Sequence, residues 1–292
     1  ASALFGEPSR RIPVVGVTGT DGKSTTVYLI DQLLTAAGEE SGFLSTVSRK
    51  IDIASEKNPY RQSTPEAPQI QEALFRMSEN GKRFAILEST SHGLSEKTGR
   101  LMDVVFQAAI FTNLTHEHLE FHGSFERYRS DKANLFRALD RTELLTEHDF
   151  DLPIFGVVNE ADPNAYYFKQ ATRKEVLSYG CNVESADLYA SDLKSDLSGT
   201  TCVLHYGYEA RKIRVPLVGQ FNVENLLAAL LTVGKLLDQD PLDLVEHLRG
   251  LKPLPGRMTT VTAESAPFSL IVDYAHTPGS FERILPIVTA AT

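Results

Sequence analysis

The stretch VVGVTGTDGKSTTVYLI, residues 14–30, carries the decisive signal. With Arg11-Ile12-Pro13 before it, its first part is a short β-branched run ending in glycine, the mark of a buried strand. From Lys23 onward Val27, Leu29, Ile30, Leu33 and Leu34 recur at helical spacing, and Gly38 stands where a helix C-terminal cap is expected. Strand, glycine-rich turn and helix make the setting of a phosphate loop. There the backbone N–H groups of Gly19, Thr20, Asp21, Gly22, Ser24 and Thr25 can surround phosphate oxygens, and Lys23 adds a point charge. The Ser24 hydroxyl is placed to join a Mg²⁺ shell. The strict phosphate-loop spelling demands a glycine five positions before Gly22-Lys23, where this chain has Val17. The loop is therefore either a turn with no ligand or a phosphate loop of a different type.

The remaining chain supplies the setting. It has 292 residues, 42% hydrophobic and 23% charged, which bounds it to one large or two ordinary globular domains. A net charge of −9 argues against a broad nucleic-acid footprint. No apolar run reaches membrane-spanning length, so no membrane insertion is expected. Cys181 and Cys202 lack metal-like spacing and read as reduced thiols of a cytoplasmic protein. Helical and strand patterns then alternate. TPEAPQIQEALFRMSENG closes a helix at Gly81, RFAILEST and VFQAAIFTNL are strands, and SFERYRSDKANLFRAL is a helix. From about 151 to 216 the pattern shifts to short strand-like pieces. NVENLLAALLTVGKLL and DPLDLVEHLRGL read as helices, the second capped by Asp240 with Pro241 at its first position. FSLIVDY reads as a last strand, followed by the start of a helix. The expected fold is α/β, a mostly parallel sheet flanked by helices, with a smaller β-rich subregion.

Three further segments carry candidate chemistry. Glu88, in AILESTSHG, lies at a strand's carboxyl end, where open α/β sheets bind ligands; it is a metal-binding carboxylate or a solvated strand end. His116, His118 and His122 crowd FTNLTHEHLEFHG; zinc is conceivable, but with no second ligand cluster a structural role for most of them is the better reading. Lys132 lies on the helix with Tyr128 and Phe136 a turn away on either side. It is either a snorkelling lysine or a buried one whose charge must be paired or removed.

Taken together, these motifs resemble the Mur ligase family, ATP-dependent enzymes that add amino acids to the peptidoglycan precursor. The likeness runs nearly end to end, through FGEPSRRIPVVGVTGTDGKSTT, LESTSHGL, FTNLTHEHLEFHGSFERYRSDKANLF, GQFNVENLLAAL, LPGRM and VDYAHTP. It is strongest to the branch that adds the third residue, meso-diaminopimelate or lysine. The family's loop is Gly-Thr-x-Gly-Lys-Ser/Thr, which Gly19 to Ser24 satisfies, so Val17 is no defect. Asp21 stands where the family more often has Asn, and it brings a negative charge to the loop.

The resemblance implies roles residue by residue. Glu88 and His118, with Ser24, would be ligands to two Mg²⁺ ions, and Lys132 would react with CO₂ to give a metal-bridging carbamate. Asn222 and Asn225 would meet the adenine, Asn113 would line the nucleotide crevice, and Arg257 and Asp273 would reach ATP from a hinge. Ser63, Thr64, Thr90 and Arg100 would hold the UDP-MurNAc-dipeptide, to which a diamino acid is joined, in a protein expected to act as a monomer. By the same likeness residues 1–11 are the remnant of an N-terminal domain and 12–256 the central ATP-binding domain. Residues 257–292 are then a hinge and the start of a C-terminal ligase domain. A domain that binds ATP without ligating, or another ligase of the same type, are the alternatives. A generic P-loop ATPase or GTPase would need a Walker-B aspartate and an Asn-Lys-x-Asp motif, and neither is arranged that way.

Overall fold

The structure is a computed structural model that describes residues 1–60, 62–115, 119–145, 151–261, 268, 270–276 and 278–290. In chain order its elements begin with β1 (Val14–Thr18), α1 (Lys23–Ala36), β2 (Ser41–Leu44), β3 (Ser48–Lys50) and β4 (Glu56–Lys57). Next come α2 (Ala67–Glu79), β5 (Phe84–Glu88), the one-turn α3 (Ser91–Leu94), β6 (Ala108–Phe111), α4 (Leu119–His122) and α5 (Phe125–Leu145). Then follow β7 (Phe155–Asn159), α6 (Ala165–Lys169), β8 (Glu175–Cys181), β9 (Leu188–Asp196), β10 (Gly199–Tyr206), β11 (Glu209–Val215) and α7 (Gln220–Leu237). The last are β12 (Thr259–Thr260), β13 (Ile271–Val272) and α8 (Pro278–Ala290).

Eleven strands form one sheet in the order β11-β10-β9-β8-β7-β6-β1-β5-β2-β3-β4. From β9 to β2 every neighbouring pair is parallel, while β10–β11 and β3–β4 add antiparallel edges. The β-rich stretch expected near 151–216 thus extends the main sheet. Central strands are buried on both faces, which explains their nearly unbroken apolar spelling. On one face Val15, Val17, Ile86, Ile110 and Val157 meet α1 and α7 in a common core. On the other, Ala85, Leu87, Ala109, Phe111 and Val158 join α2 and α5.

The topology positions the site. The chain leaves β1 toward β2 on one side and β6 toward β7 on the other, so the carboxyl ends of β1 and β6 flank a switch point, where such sheets hold ligands. Two expectations change in detail. DPLDLVEHLRGL folds as a 3-10 helix over Asp243–Gly250, not an α-helix from Pro241. Asp240 uses its carboxylate to accept the Leu242 N–H at 2.7 Å, so a turn delays the helix start, and buried Leu242, Leu244, Leu248 and Leu251 pin the short segment to the core. FSLIVDY reduces, among the described residues, to Ile271–Val272 paired with Thr259–Thr260 in a separate two-stranded sheet.

Candidate active site

Gly19 and Gly22 shape the loop. Gly22 has φ +84°, and a Cβ there would stand 2.3 Å from Asn225 Oδ1; at Gly19, φ +145°, it would stand 1.9 Å from Thr112 Oγ1. Neither dihedral nor space admits a side chain. Val17, in contrast, is a fully buried β1 residue in register with Glu88. The turn needs no glycine at that position, because its reversal occurs later. The loop is moored to the end of β6: Thr20 N–H donates to Asn113 O at 2.8 Å and Asp21 N–H to Asn113 Oδ1 at 3.0 Å. The first N–H groups of α1, Lys23 to Thr25, have no carbonyl one turn earlier within the helix, so they face outward as anion donors.

Two lysines converge on this loop. Lys23 Nζ donates to Thr20 O at 2.6 Å and to Gly19 O at 3.0 Å. Lys132, only 2% exposed, donates to the same Gly19 O at 2.6 Å and lies over the Tyr128 ring. Tyr128 in turn has its hydroxyl 3.1 Å from Thr20 Oγ1. Lys132 is thus a buried lysine, not a snorkelling one.

Glu88, 4% exposed, is the polar centre of the adjacent floor. Its Oε2 accepts from Ser24 Oγ and from Thr46 N–H, both at 2.8 Å, and its Oε1 accepts from Thr46 Oγ1 at 2.8 Å. Ser63 Oγ lies 2.7 Å from that same Thr46 hydroxyl. Beside it, Thr64 Oγ1 donates to Glu88 O, while Thr90 contributes both N–H and hydroxyl to Thr64 Oγ1. Arg100 donates to Thr64 O at 3.1 Å and pairs with Glu66 at 2.6 Å. Ser63, Thr64, Thr90 and Arg100 are therefore brought together at the end of β5.

The cavity between these elements measures about 270 Å³. It is lined by Thr20–Thr25 of the loop, Glu88, Ser63 and Asn113 together with Asn222, Asn225, Arg257 and Asp273. Asn225 Oδ1 also accepts from Thr26 Oγ1, and Asn222 Nδ2 donates to Val218 O, so both amides brace the start of α7. Arg257 stacks over Tyr274 at 4.7 Å, and Asp273 accepts the N–H groups of Met258 and Ala275 at 2.7 Å each. His116 and His118 lie outside the described residues. Among the described residues no group of three His, Cys, Asp or Glu side chains is arranged as a metal cage.

Several contributors left no local sequence signal. Thr46 comes from the turn after β2, and Glu224 of α7 is a cavity-lining carboxyl whose pKa burial raises, against opposing hydrogen bonds from Gln220 and Asn159 and the Arg283 charge. His122, one of the histidines crowding FTNLTHEHLEFHG, takes the structural role expected there: its Nδ1 lies 2.7 Å from Asp131 Oδ2 and its Nε2 3.0 Å from Ser91 Oγ. That network ties α4 to the helix carrying Lys132 and to the start of α3. Both cysteines are free and buried, and burial pushes both thiols up, Cys202 to about 11.

A family model described as "Mur ligase middle domain" matches residues 17–233. The chain belongs to the Mur ligase family. It is 44% identical over 99% of its length to a UDP-N-acetylmuramyl-tripeptide synthetase of Treponema denticola, covering 55% of that protein. To a UDP-N-acetylmuramoyl-L-alanyl-D-glutamate–2,6-diaminopimelate ligase of Geobacillus thermodenitrificans it is 38% identical, covering 99% of this chain and 56% of the relative. A solved diaminopimelate ligase of that same name superposes with a TM-score of 0.77 at 31% identity, over 95% of this chain and 54% of the other. A solved D-alanyl-D-alanyl ligase from Acinetobacter baumannii shares the fold, with a TM-score of 0.71 at 15% identity over 99% of this chain and 58% of its own. The chain spans about half the length of the curated relatives it matches. Among the described residues no helix is long and apolar enough to cross a membrane.

Proposed function

We propose that this Mur ligase chain binds ATP for an acid–amino-acid ligase of peptidoglycan precursor synthesis, which joins a diamino acid to UDP-MurNAc-L-Ala-D-Glu. One observation carries the reading. The Gly19–Thr25 loop and the Glu88 carboxylate, joined through Ser24 Oγ at 2.8 Å, share a cavity with Asn222, Asn225, Arg257 and Asp273. Residues 12–256 form the ATP-binding domain on this reading, residues 1–11 its lead-in from an N-terminal domain, and 257–292 a hinge and the start of the ligase domain.

The loop N–H groups and Lys23 take the β- and γ-phosphates, where preorganised donors stabilise charge that develops on transfer. Asn113, Asn222 and Asn225 bound the nucleotide, while Arg257 and Asp273 close over it. Ser24 and Glu88 offer hard oxygen donors side by side, which suits Mg²⁺, and with His118 and Lys132 they would hold two such ions. Bound there, the ions would supply neutralisation of the phosphoryl oxygens. Lys132, after its ammonium gives up a proton, would add CO₂ at Nζ and release a second proton, so that a buried cation would become an anionic oxygen ligand. Ser63, Thr64, Thr90 and Arg100 present the precursor. Its carboxylate oxygen attacks the γ-phosphorus and ADP leaves; the incoming amine then attacks the acyl carbon, losing a proton as phosphate departs.

Calorimetry with MgATP, beside ADP release with the muramoyl-dipeptide and diaminopimelate or lysine, tests this. Binding of MgATP, weakened at least tenfold by Lys23→Ala, is expected. Absence of binding, or indifference to Lys23→Ala, refutes the nucleotide site. In a protein of the relatives' full length, Lys132→Ala should abolish ligation; activity near the parent rate would remove the carbamate role.

A further inference from the structure

The cavity assigned above to MgATP is lined by four carboxyl groups, Asp21, Glu88, Glu224 and Asp273, against the cationic Lys23, Arg257 and Arg283. Such a balance is poor for a polyanionic ligand unless each carboxylate is locally answered. Glu88 is answered by Ser24 and Thr46, and Asp273 by two backbone N–H groups. Glu224 is answered by Gln220 Nε2, which donates to its Oε1 at 2.9 Å, and Asp21 by Arg283 of α8. The Arg283 guanidinium lies 3.6 Å from Asp21 Oδ2, and its charge acts on Glu224 as well.

The helix is seated for this. Ser280, Arg283 and Ile284 line the cavity. One turn beyond Arg283, on the same face, Ile287 rests on Gly219, where a Cβ would come within 2.6 Å of Ile287 Cδ1. Gly219 is the residue that opens α7, the helix of Glu224. The inner face of α8 therefore spans the phosphate loop and the start of α7.

Resting on the nucleotide reading, we propose that Arg283 is a specificity-determining residue for phosphate. It neutralises Asp21 so that the loop can accept a polyanion, and through that pair it holds α8 over the cavity. The ion pair itself is loose, with side chains 40% and 39% exposed, and such pairs add little to stability. Its effect belongs instead in anion affinity. Remove Arg283 and an incoming triphosphate meets the uncompensated Asp21 carboxylate; remove that charge as well and the repulsion goes.

Calorimetry with MgATP on the 292-residue chain decides the matter. Arg283→Ala should weaken binding about three- to tenfold with little change in Tm. Arg283→Lys should retain most of the affinity, and Asp21→Asn alone, which removes an anion and frees the Arg283 cation, should bind more tightly than the parent. The double variant Asp21→Asn/Arg283→Ala should recover at least half of the logarithmic loss. Parent-like binding by Arg283→Ala, or a double variant as weak as the single one, overturns the proposal. Amide hydrogen exchange without nucleotide is the second readout: α8 should exchange faster in Arg283→Ala, and unchanged exchange overturns its docking role. A parent chain that ignores MgATP would sink the nucleotide reading, and the exchange comparison would still decide whether Arg283 holds α8.

Discussion

Gly22→Ala examines the phosphate loop most directly. The substitution forces an L-residue to φ +84° and sets its Cβ 2.3 Å from Asn225 Oδ1 and 3.2 Å from Asn225 Cγ. The left-handed dihedral costs roughly 1–2 kcal/mol. Asn225 must also swing aside, giving up its acceptance from Thr26 Oγ1 at 3.3 Å and its contact with Asn222 Oδ1 at 3.5 Å, which costs about another 1 kcal/mol. The total, about 2–3 kcal/mol, corresponds to a Tm lower by roughly 3–5 °C for a chain of this size. Thermal denaturation followed by circular dichroism measures it, with calorimetry reporting the accompanying loss of MgATP affinity. Introducing Gly22→Ala into an Asn225→Ala background separates the two contributions, because the clash is gone and only the dihedral term of roughly 1–2 kcal/mol remains. A Tm change under about 1 °C in both backgrounds would show that neither the dihedral nor the Asn225 contact holds the loop, and the account of why Gly22 is required would fail.

Three further outcomes follow from buried groups. Lys50 and Asp31 pair at 2.8 Å with side chains 11% and 8% exposed, and Asp31 also accepts from Ser41 Oγ. Lys50→Met should cost about 3–5 kcal/mol by urea denaturation, and Asp31→Asn added to it should regain part of that loss, since the orphaned charge is what destabilises. His122→Ala strands Ser91 and Asp131 and should lower stability by about 2–4 kcal/mol, with His122→Asn recovering a share; a neutral alanine variant would dismiss the network. Burial raises the Glu224 pKa, so the folded state keeps that proton to higher pH than the unfolded chain does. Its contribution to stability is fully present below the unfolded carboxyl pKa of about 4.3 and is lost as pH rises through the folded value. Glu224→Gln should therefore raise Tm at neutral pH, with the gain shrinking toward pH 4, and a pH-independent difference would contradict the burial argument.

The fold was legible wherever its information is local. Ile12 to Val17 spell a buried strand, Val27 to Leu34 an amphipathic helix, and Gly38 and Gly81 adopt the positive φ that ends a helix. The loop itself follows from glycine spacing, because φ at Gly19 and Gly22 is a property of the turn and not of distant contacts. Local pattern failed at Asp240 to Gly250, where a side-chain turn and four anchored leucines override helical propensity, and at Leu270 to Tyr274, where among the described residues only Ile271–Val272 pairs with Thr259–Thr260.

What the sequence determined alone is the set of parts: a glycine-rich strand–helix loop, a carboxylate at the end of β5, a lysine on the apolar side of a helix and the β-rich continuation. Tertiary structure decided which parts meet. Ser24 and Thr46 reach Glu88 only because β5 lies between β1 and β2, and Arg283 reaches Asp21 only because α8 settles across the opening of α7. Sheet order and helix docking are set by burial summed over the whole core, which no contiguous stretch encodes. For that reason the loop could be read from seventeen consecutive residues, while the charges that surround it could not.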